Sequence, residues 1–104
     1  MPPPPPTNLN VGKNDIQATY VILTWELPHY PDVYEVSEFT VQTKEVVGNT
    51  DFRTEVTVDA DVTGVRLTGL KSDTEYLLRV VSHRKNALKT KASKQLGIKT
   101  INGT

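Results

Sequence analysis

The side chains that most often carry acid–base chemistry are few in this sequence and lie far apart. His29 and His83 are its two histidines, and it has no cysteine to serve as a nucleophile or thiolate ligand. An active site needs a nucleophile, a base and orienting groups that converge, and nothing in the spacing brings the two histidines together. Asp59 and Asp61 form a carboxylate pair two residues apart. Because the repeated oxygen ligands of a calcium loop are absent around them, we interpret them as a solvated turn.

Motifs of known enzymes are also missing. The sequence has no glycine-rich phosphate loop, no HExxH and no GxSxG. We therefore predict a noncatalytic protein that carries no cofactor and no metal.

Length and composition indicate one folded domain. The chain has 104 residues and ordinary hydrophobic and charged fractions, enough for a single core. No apolar run approaches the roughly 18 residues that a membrane-spanning helix needs. Met1 is followed by five prolines rather than by the apolar stretch of a signal peptide. We expect the chain to be a piece of something longer.

The net charge is zero, but its distribution is lopsided. All twelve acidic residues lie at or before Glu75, whereas residues 76–104 contain seven lysines and arginines and no acid. Such asymmetry can mark an interaction surface, although folding brings distant segments together and can cancel it.

The secondary structure is predicted most clearly at residues 64–81. Val65 and Leu67 alternate with polar residues, and Tyr76, Leu78 and Val80 do the same after the polar corner 71–74. Spacing of two on both sides of a turn predicts two strands that face a common core. A tyrosine at the start of the second strand can bury its ring and bond its hydroxyl to the corner's backbone.

Alternation elsewhere predicts further short strands and no helix. A turn at 13–15 is expected within the first region, and the strand at 52–58, of mixed polarity, is expected at a sheet edge. Seven short strands favour an antiparallel sandwich. They are expected around Leu9–Ile16, Tyr20–Glu26, Phe39–Thr43, Phe52–Val58, Val65–Leu67, Tyr76–Ser82 and Leu96–Thr100.

The corner resembles the fibronectin type III signature at the turn from the fifth to the sixth strand of that domain. Leu70 and Tyr76 stand in the motif Leu-Lys-Ser-Asp-Thr-Glu-Tyr, with Ser72 where the family usually has proline, and Trp25 matches the family's core tryptophan. The resemblance implies an all-β, immunoglobulin-like seven-stranded antiparallel β-sandwich. Without cysteine it would be held by packing alone. We expect a proline-rich linker at 1–6, the domain at 7–101 and a tail at 102–104.

In the family's topology, two loops emerge at the same end of the sandwich. The loop at 27–38 is acidic and carries Tyr30 and Tyr34, whereas the loop at 83–93 is basic. The two loops could pair with each other, or one could bind a partner; Tyr30 and Tyr34 are then candidate contacts, together with Arg84, Lys85, Lys89 and Lys91. Integrin-binding relatives carry Arg-Gly-Asp at the tip of the second loop. This chain has Asn86-Ala87-Leu88 there, so integrin binding by that route is not supported.

Two further features have simple interpretations. Lys94 and Lys99 would keep the edge of the last strand from pairing with other chains. Asn102 begins an Asn-Gly-Thr sequon, which predicts a glycosylation site and fits an extracellular origin.

These observations predict a noncatalytic fibronectin type III module of a cell-surface or extracellular multidomain protein. It would act as a spacer and protein-interaction domain in adhesion or signalling. The expected partners are neighbouring domains of the same chain and another cell-surface or matrix protein, with no nucleic acid. An alternative is a receptor domain that binds a ligand or heparan sulfate through the basic loop. An intracellular module of giant muscle proteins and an accessory module of a bacterial glycosidase remain a third class.

Overall fold

A computed structural model describes residues 4–27, 36–48, 50–84 and 90–103, and every regular element in these ranges is a strand. No helix in these ranges is long and apolar enough to cross a membrane. The predicted all-β fold is confirmed. The strands are β1 (Thr7–Ile16), β2 (Val21–Glu26), β3 (Val36–Glu45), β4 (Arg53–Asp59), β5 (Gly64–Leu67), β6 (Glu75–Arg84), β7 (Lys91–Ala92) and β8 (Leu96–Lys99).

The strands form two antiparallel sheets. One has the order β1-β2-β5, and the other has the order β4-β3-β6 with both β7 and β8 paired to the far side of β6. The expected edge position of the strand at 52–58 is confirmed, because β4 pairs only with β3.

The final strand is in two pieces, which makes eight strands instead of the predicted seven. Ser93 lies at the break. Its N–H donates to the carbonyl of Val80 (2.8 Å), and its hydroxyl accepts from the N–H of Val80 (2.9 Å). A side-chain oxygen therefore takes the place of a backbone carbonyl there. The two-residue β7 shows no alternation that the sequence could have revealed.

Inward-facing residues of both sheets form one core. Val21, Leu23 and Trp25 from β2 are buried, as are Phe39 and Val41 from β3, so the alternation predicted for these strands is confirmed. Trp25 meets Phe39 edge to face, with 6.1 Å between ring centroids. The remaining buried apolar residues of this cluster are Leu67, Leu70, Tyr76, Leu78 and Val80.

The turn expected at 13–15 was wrong. These residues lie inside β1, where the register is irregular, because Val11 pairs with Leu23 and the next pair is Ile16 with Val21. The extra residues are accommodated as a bulge. The Gln17 side chain donates to the carbonyl of Asn14 (3.1 Å) and helps to hold it.

β3 and β6 are longer than predicted. β3 begins at Val36 rather than Phe39, and β6 continues to Arg84 rather than Ser82, because Val36 pairs with Arg84. The hydroxyl of Ser37 also donates to the carbonyl of His83 (3.1 Å). His83 and Arg84, expected in a loop, therefore belong to the end of a strand.

The described part of the proline run lies on the sandwich. The Pro6 side chain is fully buried, and the carbonyl of Pro4 accepts a hydrogen bond from the Ser82 hydroxyl (3.0 Å). Proline has no N–H to satisfy, so it can close the side of a sheet without leaving a donor unpaired. Packed structure thus begins before residue 7, inside the segment expected to be a linker.

Candidate partner-binding surface

One end of the sandwich is closed by the corner that precedes β6. The Tyr76 hydroxyl accepts a hydrogen bond from the backbone N–H of Lys71 (2.8 Å), and both Tyr76 and Leu70 are buried. The Thr100 hydroxyl accepts from the N–H of Thr74 (3.0 Å) and donates to the carbonyl of Lys71 (2.6 Å). Asp73 adopts a left-handed backbone (φ 51°) within this turn. These polar groups are used internally, so this end offers few of them to a partner.

The opposite end receives the start of β1 and the end of β6. Four of the predicted partner contacts, Tyr30, Tyr34, Lys85 and Lys89, lie outside the described residues, as does the segment 86–88. Arg84 is half-buried at the last position of β6, and Lys91 is exposed on β7. Because Lys91 pairs with Ser82, the structure brings Arg84 and Lys91 to adjacent strands at one end.

A groove of about 560 Å³ lies beside Lys91. Apolar groups of Pro5, Leu9 and Leu96 contribute to its walls, and Lys91 and Lys94 are the charged residues among its lining. Within the described ranges, neither lysine is in an ion pair. The full lining is Pro5, Pro6, Thr7, Asn8, Leu9, Lys91, Ala92, Lys94, Gln95 and Leu96.

The groove exists because two strand edges are open. Among the described residues, β1 pairs only with β2, and β7 and β8 pair only with β6. The break at 93–95 interrupts the second edge, and the left-handed Asn8 (φ 54°) bends the first. The Asn8 side chain donates to the Glu26 carboxylate, so the carboxylate next to the groove already has a partner.

The outer face of the second sheet carries a cluster of two cations around one aromatic ring, away from the two loops predicted to bind a partner. The Arg79 guanidinium carbon lies 3.9 Å from the centroid of the Phe52 ring, and the Lys44 ammonium lies 6.0 Å from the same centroid. Arg79 Nε donates to the Gln42 amide oxygen (2.7 Å). Alternation alone predicts that Arg79 faces outward, but its neighbours depend on the register of three strands.

Of the residues first considered for chemistry, His29 lies outside the described residues, whereas His83, Asp59 and Asp61 are described. The Val62 N–H donates to the carbonyl of Asp59 (3.1 Å), so Asp61 lies in a hydrogen-bonded turn that begins at Asp59, the last residue of β4. His83 Nε2 is 2.8 Å from the Thr40 hydroxyl on the outer face of the second sheet. Within the described ranges, no three His, Cys, Asp or Glu residues are close enough to hold a metal ion.

The model of the fibronectin type III domain matches residues 4–98 of this chain. The chain belongs to the fibronectin type III family. A search of curated protein sequences gives no significant match.

Solved structures agree on the fold. A structure described as a myokine is 22% identical with a TM-score of 0.74, and the match covers 96% of this chain and 99% of that one. Titin domains A168–A170 are 20% identical (TM-score 0.80), and the chicken CNTN1 FN1–FN3 domains are 24% identical (TM-score 0.76). Each of these two matches covers 97% of this chain but 33% of the other. The chain therefore spans about a third of these two multidomain structures.

The remaining predicted residues of this fibronectin type III domain lie on its surface. Lys94 is exposed at the break in the final strand, and Lys99 at the end of β8 is 3.5 Å from the Asp73 carboxylate. Asn102 is exposed near the corner end, whereas Thr104 of its sequon lies outside the described residues.

Proposed function

We propose that this fibronectin type III domain is a noncatalytic module of a cell-surface or extracellular multidomain protein. In this role it spaces neighbouring domains and binds a protein partner in adhesion or signalling. The observation that carries the proposal is the groove between the two open sheet edges, with Lys91 and Lys94 at its border.

The groove combines the features that a protein segment requires. Apolar walls from Leu9 and Leu96 supply burial for an extended segment. Lys91 and Lys94 have no acidic partner in the described part of the chain, so they favour a segment that carries carboxylates. Arg84 at the same end adds a residue type that is common in binding hot spots.

The spacer role is supported by the positions of the described chain ends. Pro4 bonds to Ser82 at one end of the sandwich, whereas Ile101 accepts from the N–H of Asp73 at the corner end (3.0 Å). The molecule is 49 Å long and 18 Å thick. Domains joined at these two ends would be held apart by the sandwich, as suits a module of a multidomain protein.

A second candidate is heparan sulfate binding. Arg84, Lys91 and Lys94 form no ion pair with another described residue, and Arg84 and Lys91 lie toward one end of the molecule. Sulfate groups would bind such cations by charge-assisted hydrogen bonds.

Binding of the fluorescently labelled domain to cells tests both candidates. The double variant Lys91→Glu and Lys94→Glu should lose most binding, whereas Lys13→Glu, an exposed lysine on β1 that does not line the groove, should bind like the native domain. Heparinase treatment of the cells should leave binding intact if the partner is a protein and abolish it if the partner is heparan sulfate. Equal binding by the double variant and the native domain would contradict both.

Glycosylation tests the proposed extracellular location. When the domain is expressed through the secretory pathway of mammalian cells, we expect an N-linked glycan on Asn102. Peptide N-glycosidase should then lower its apparent mass, and Asn102→Gln should show no such shift. If the native domain carries no glycan under these conditions, the prediction is contradicted.

A further inference from the structure

The outer face of the second sheet holds two cations over one aromatic ring. Arg79 lies against the Phe52 ring at 3.9 Å, and Lys44 is 6.0 Å from the same ring centroid. All three side chains are half-buried. Neither cation is in an ion pair with another described residue, although Arg53, nearby on β4, is paired with Glu55 (3.0 Å).

Neutral groups hold the guanidinium in place. Arg79 Nε donates to the amide oxygen of Gln42 (2.7 Å), and the amide nitrogen of Gln42 donates to the hydroxyl of Thr54 (3.3 Å). This chain of contacts crosses β6, β3 and β4. It uses the Nε–H of Arg79 and leaves the terminal N–H donors of the guanidinium for a ligand. A donor that is already fixed loses little side-chain entropy when a ligand binds.

The electrostatics of the cluster favour an anion. The ring attracts both cations through its quadrupole, but the two positive charges repel each other, and no carboxylate within the described ranges forms an ion pair with either. A bound carboxylate would relieve this repulsion and form charge-assisted hydrogen bonds with the guanidinium. Leu77, two residues before Arg79 on β6, is half-buried, so some apolar surface lies next to the charges.

The first sheet provides a contrasting pair. Arg66 lies 4.7 Å from the centroid of the Tyr20 ring. Arg66 is exposed, no second cation lies over that ring, and no side-chain hydrogen bond holds Arg66 among the described residues. An arginine therefore stacks on an aromatic ring on both faces. Only at Arg79, among the described residues, does an amide hold the arginine and a second cation lie near the ring.

We propose that Arg79, Lys44 and Phe52 form a binding site for an acidic side chain, Asp or Glu, of a protein partner. The inference rests on the protein-interaction role proposed above and adds a second surface, distinct from the groove. The guanidinium binds the carboxylate through its terminal N–H groups, Lys44 adds charge, and Phe52 shields the contact from water.

The probe for this site is a short acidic peptide, acetyl-Gly-Asp-Glu-Asp-Gly-amide. Its neutral counterpart with Asn and Gln in place of Asp and Glu serves as the ligand control. Titration of the ¹⁵N-labelled domain should give saturable shifts of the Arg79 Nε–H signal and of the backbone amides around Phe52, and the neutral peptide should give none. Arg79→Lys keeps the charge but removes the planar fork, so the dissociation constant should rise about tenfold.

Matched variants separate this site from general charge effects. Arg66→Lys makes the same exchange on the other sheet and should leave the affinity unchanged. Gln42→Ala removes the amide that holds Arg79 and should weaken binding without changing the net charge. This second variant keeps the test decisive if Arg79→Lys perturbs the fold.

Three results would overturn the site. They are equal affinity in Arg79→Lys and the native domain, shifts confined to the groove around Lys91, and shifts at Arg79 with a heparin hexasaccharide but not with the peptide. The cell-binding experiment with the groove variants uses other residues. If the peptide does not bind at Arg79, the cell-binding experiment still tests the proposed function independently.

Discussion

Two aromatic side chains anchor opposite ends of the core, and they do so in different ways. Trp25 is 4% exposed and packs edge to face on Phe39 near the end that receives the start of β1. Its indole N–H has no hydrogen-bond partner in the residues that the structure describes. Tyr76, at the corner end, is 6% exposed, and its hydroxyl bonds to the backbone of Lys71.

The difference separates two contributions to stability. Trp25 stabilises the fold through buried apolar area, which scales with size and has no preferred direction. Tyr76 adds a directed hydrogen bond that fixes the conformation of one turn. The tryptophan should therefore affect the total stability more, whereas the tyrosine hydroxyl should affect local order at the corner more.

Truncation of the Trp25 side chain should have the largest effect on stability. Trp25→Ala should lower the free energy of unfolding by about 3–5 kcal/mol, because a large cavity forms beside Phe39. Urea denaturation measures this change. Val47→Ala is the matched control, since Val47 is 85% exposed, and it should change stability by less than about 0.5 kcal/mol. Similar values for the two variants would mean that Trp25 does not anchor the core.

Removal of the Thr100 hydroxyl, which also bonds to the corner, should have an intermediate effect on stability. Thr100→Val keeps the shape of the buried side chain but leaves the N–H of Thr74 and the carbonyl of Lys71 without this partner. The expected loss is about 1–3 kcal/mol. Faster hydrogen exchange at Thr74, measured by NMR, should accompany it; unchanged exchange would contradict a role for Thr100 in closing the corner.

Removal of the Tyr76 hydroxyl alone should destabilise the domain less than the loss of the Thr100 hydroxyl. Tyr76→Phe should lower the free energy of unfolding by about 0.5–1.5 kcal/mol, since the ring stays buried and one hydrogen bond to Lys71 is lost. Tyr20→Phe is the control, because no described group bonds to the Tyr20 hydroxyl, and it should be neutral. If Tyr76→Phe is equally neutral, the directed bond does not contribute to the corner's stability.

The smallest effect on stability is expected in the groove. Lys91 is exposed, so Lys91→Ala should change the free energy of unfolding by less than about 0.5 kcal/mol while it weakens binding to cells. Thermal denaturation and cell binding of the same preparation check both parts. A large loss of stability would show that Lys91 supports the fold rather than a partner.

The sequence predicts the parts of this molecule that depend on local spacing. The alternation of Val21, Leu23 and Trp25 defines a buried strand face without any knowledge of its neighbours. The six-residue interval from Leu70 to Tyr76 likewise describes a turn that closes on its own backbone. Both features are contained in a few consecutive residues.

Features that depend on pairing between distant strands are not predicted. The bulge at 13–15 arises from the register between β1 and β2, and the sequence there looks like an ordinary turn. The groove requires the break at Ser93, although one of its residues, Lys91, was expected to contact a partner. The Arg79 cluster needs Gln42 to pair with both Arg79 and Thr54, a register that no single segment contains.

The positions of Pro4 and Ile101 also determine how the domain responds to tension. A pull on these two points acts along the strands, because β1 starts at one end of the sandwich and β8 finishes at the other. The ladders between β1 and β2 and between β6 and β8 are then loaded in shear, so many hydrogen bonds must break together. A mechanical load in this direction should meet more resistance than one that peels β8 from its edge.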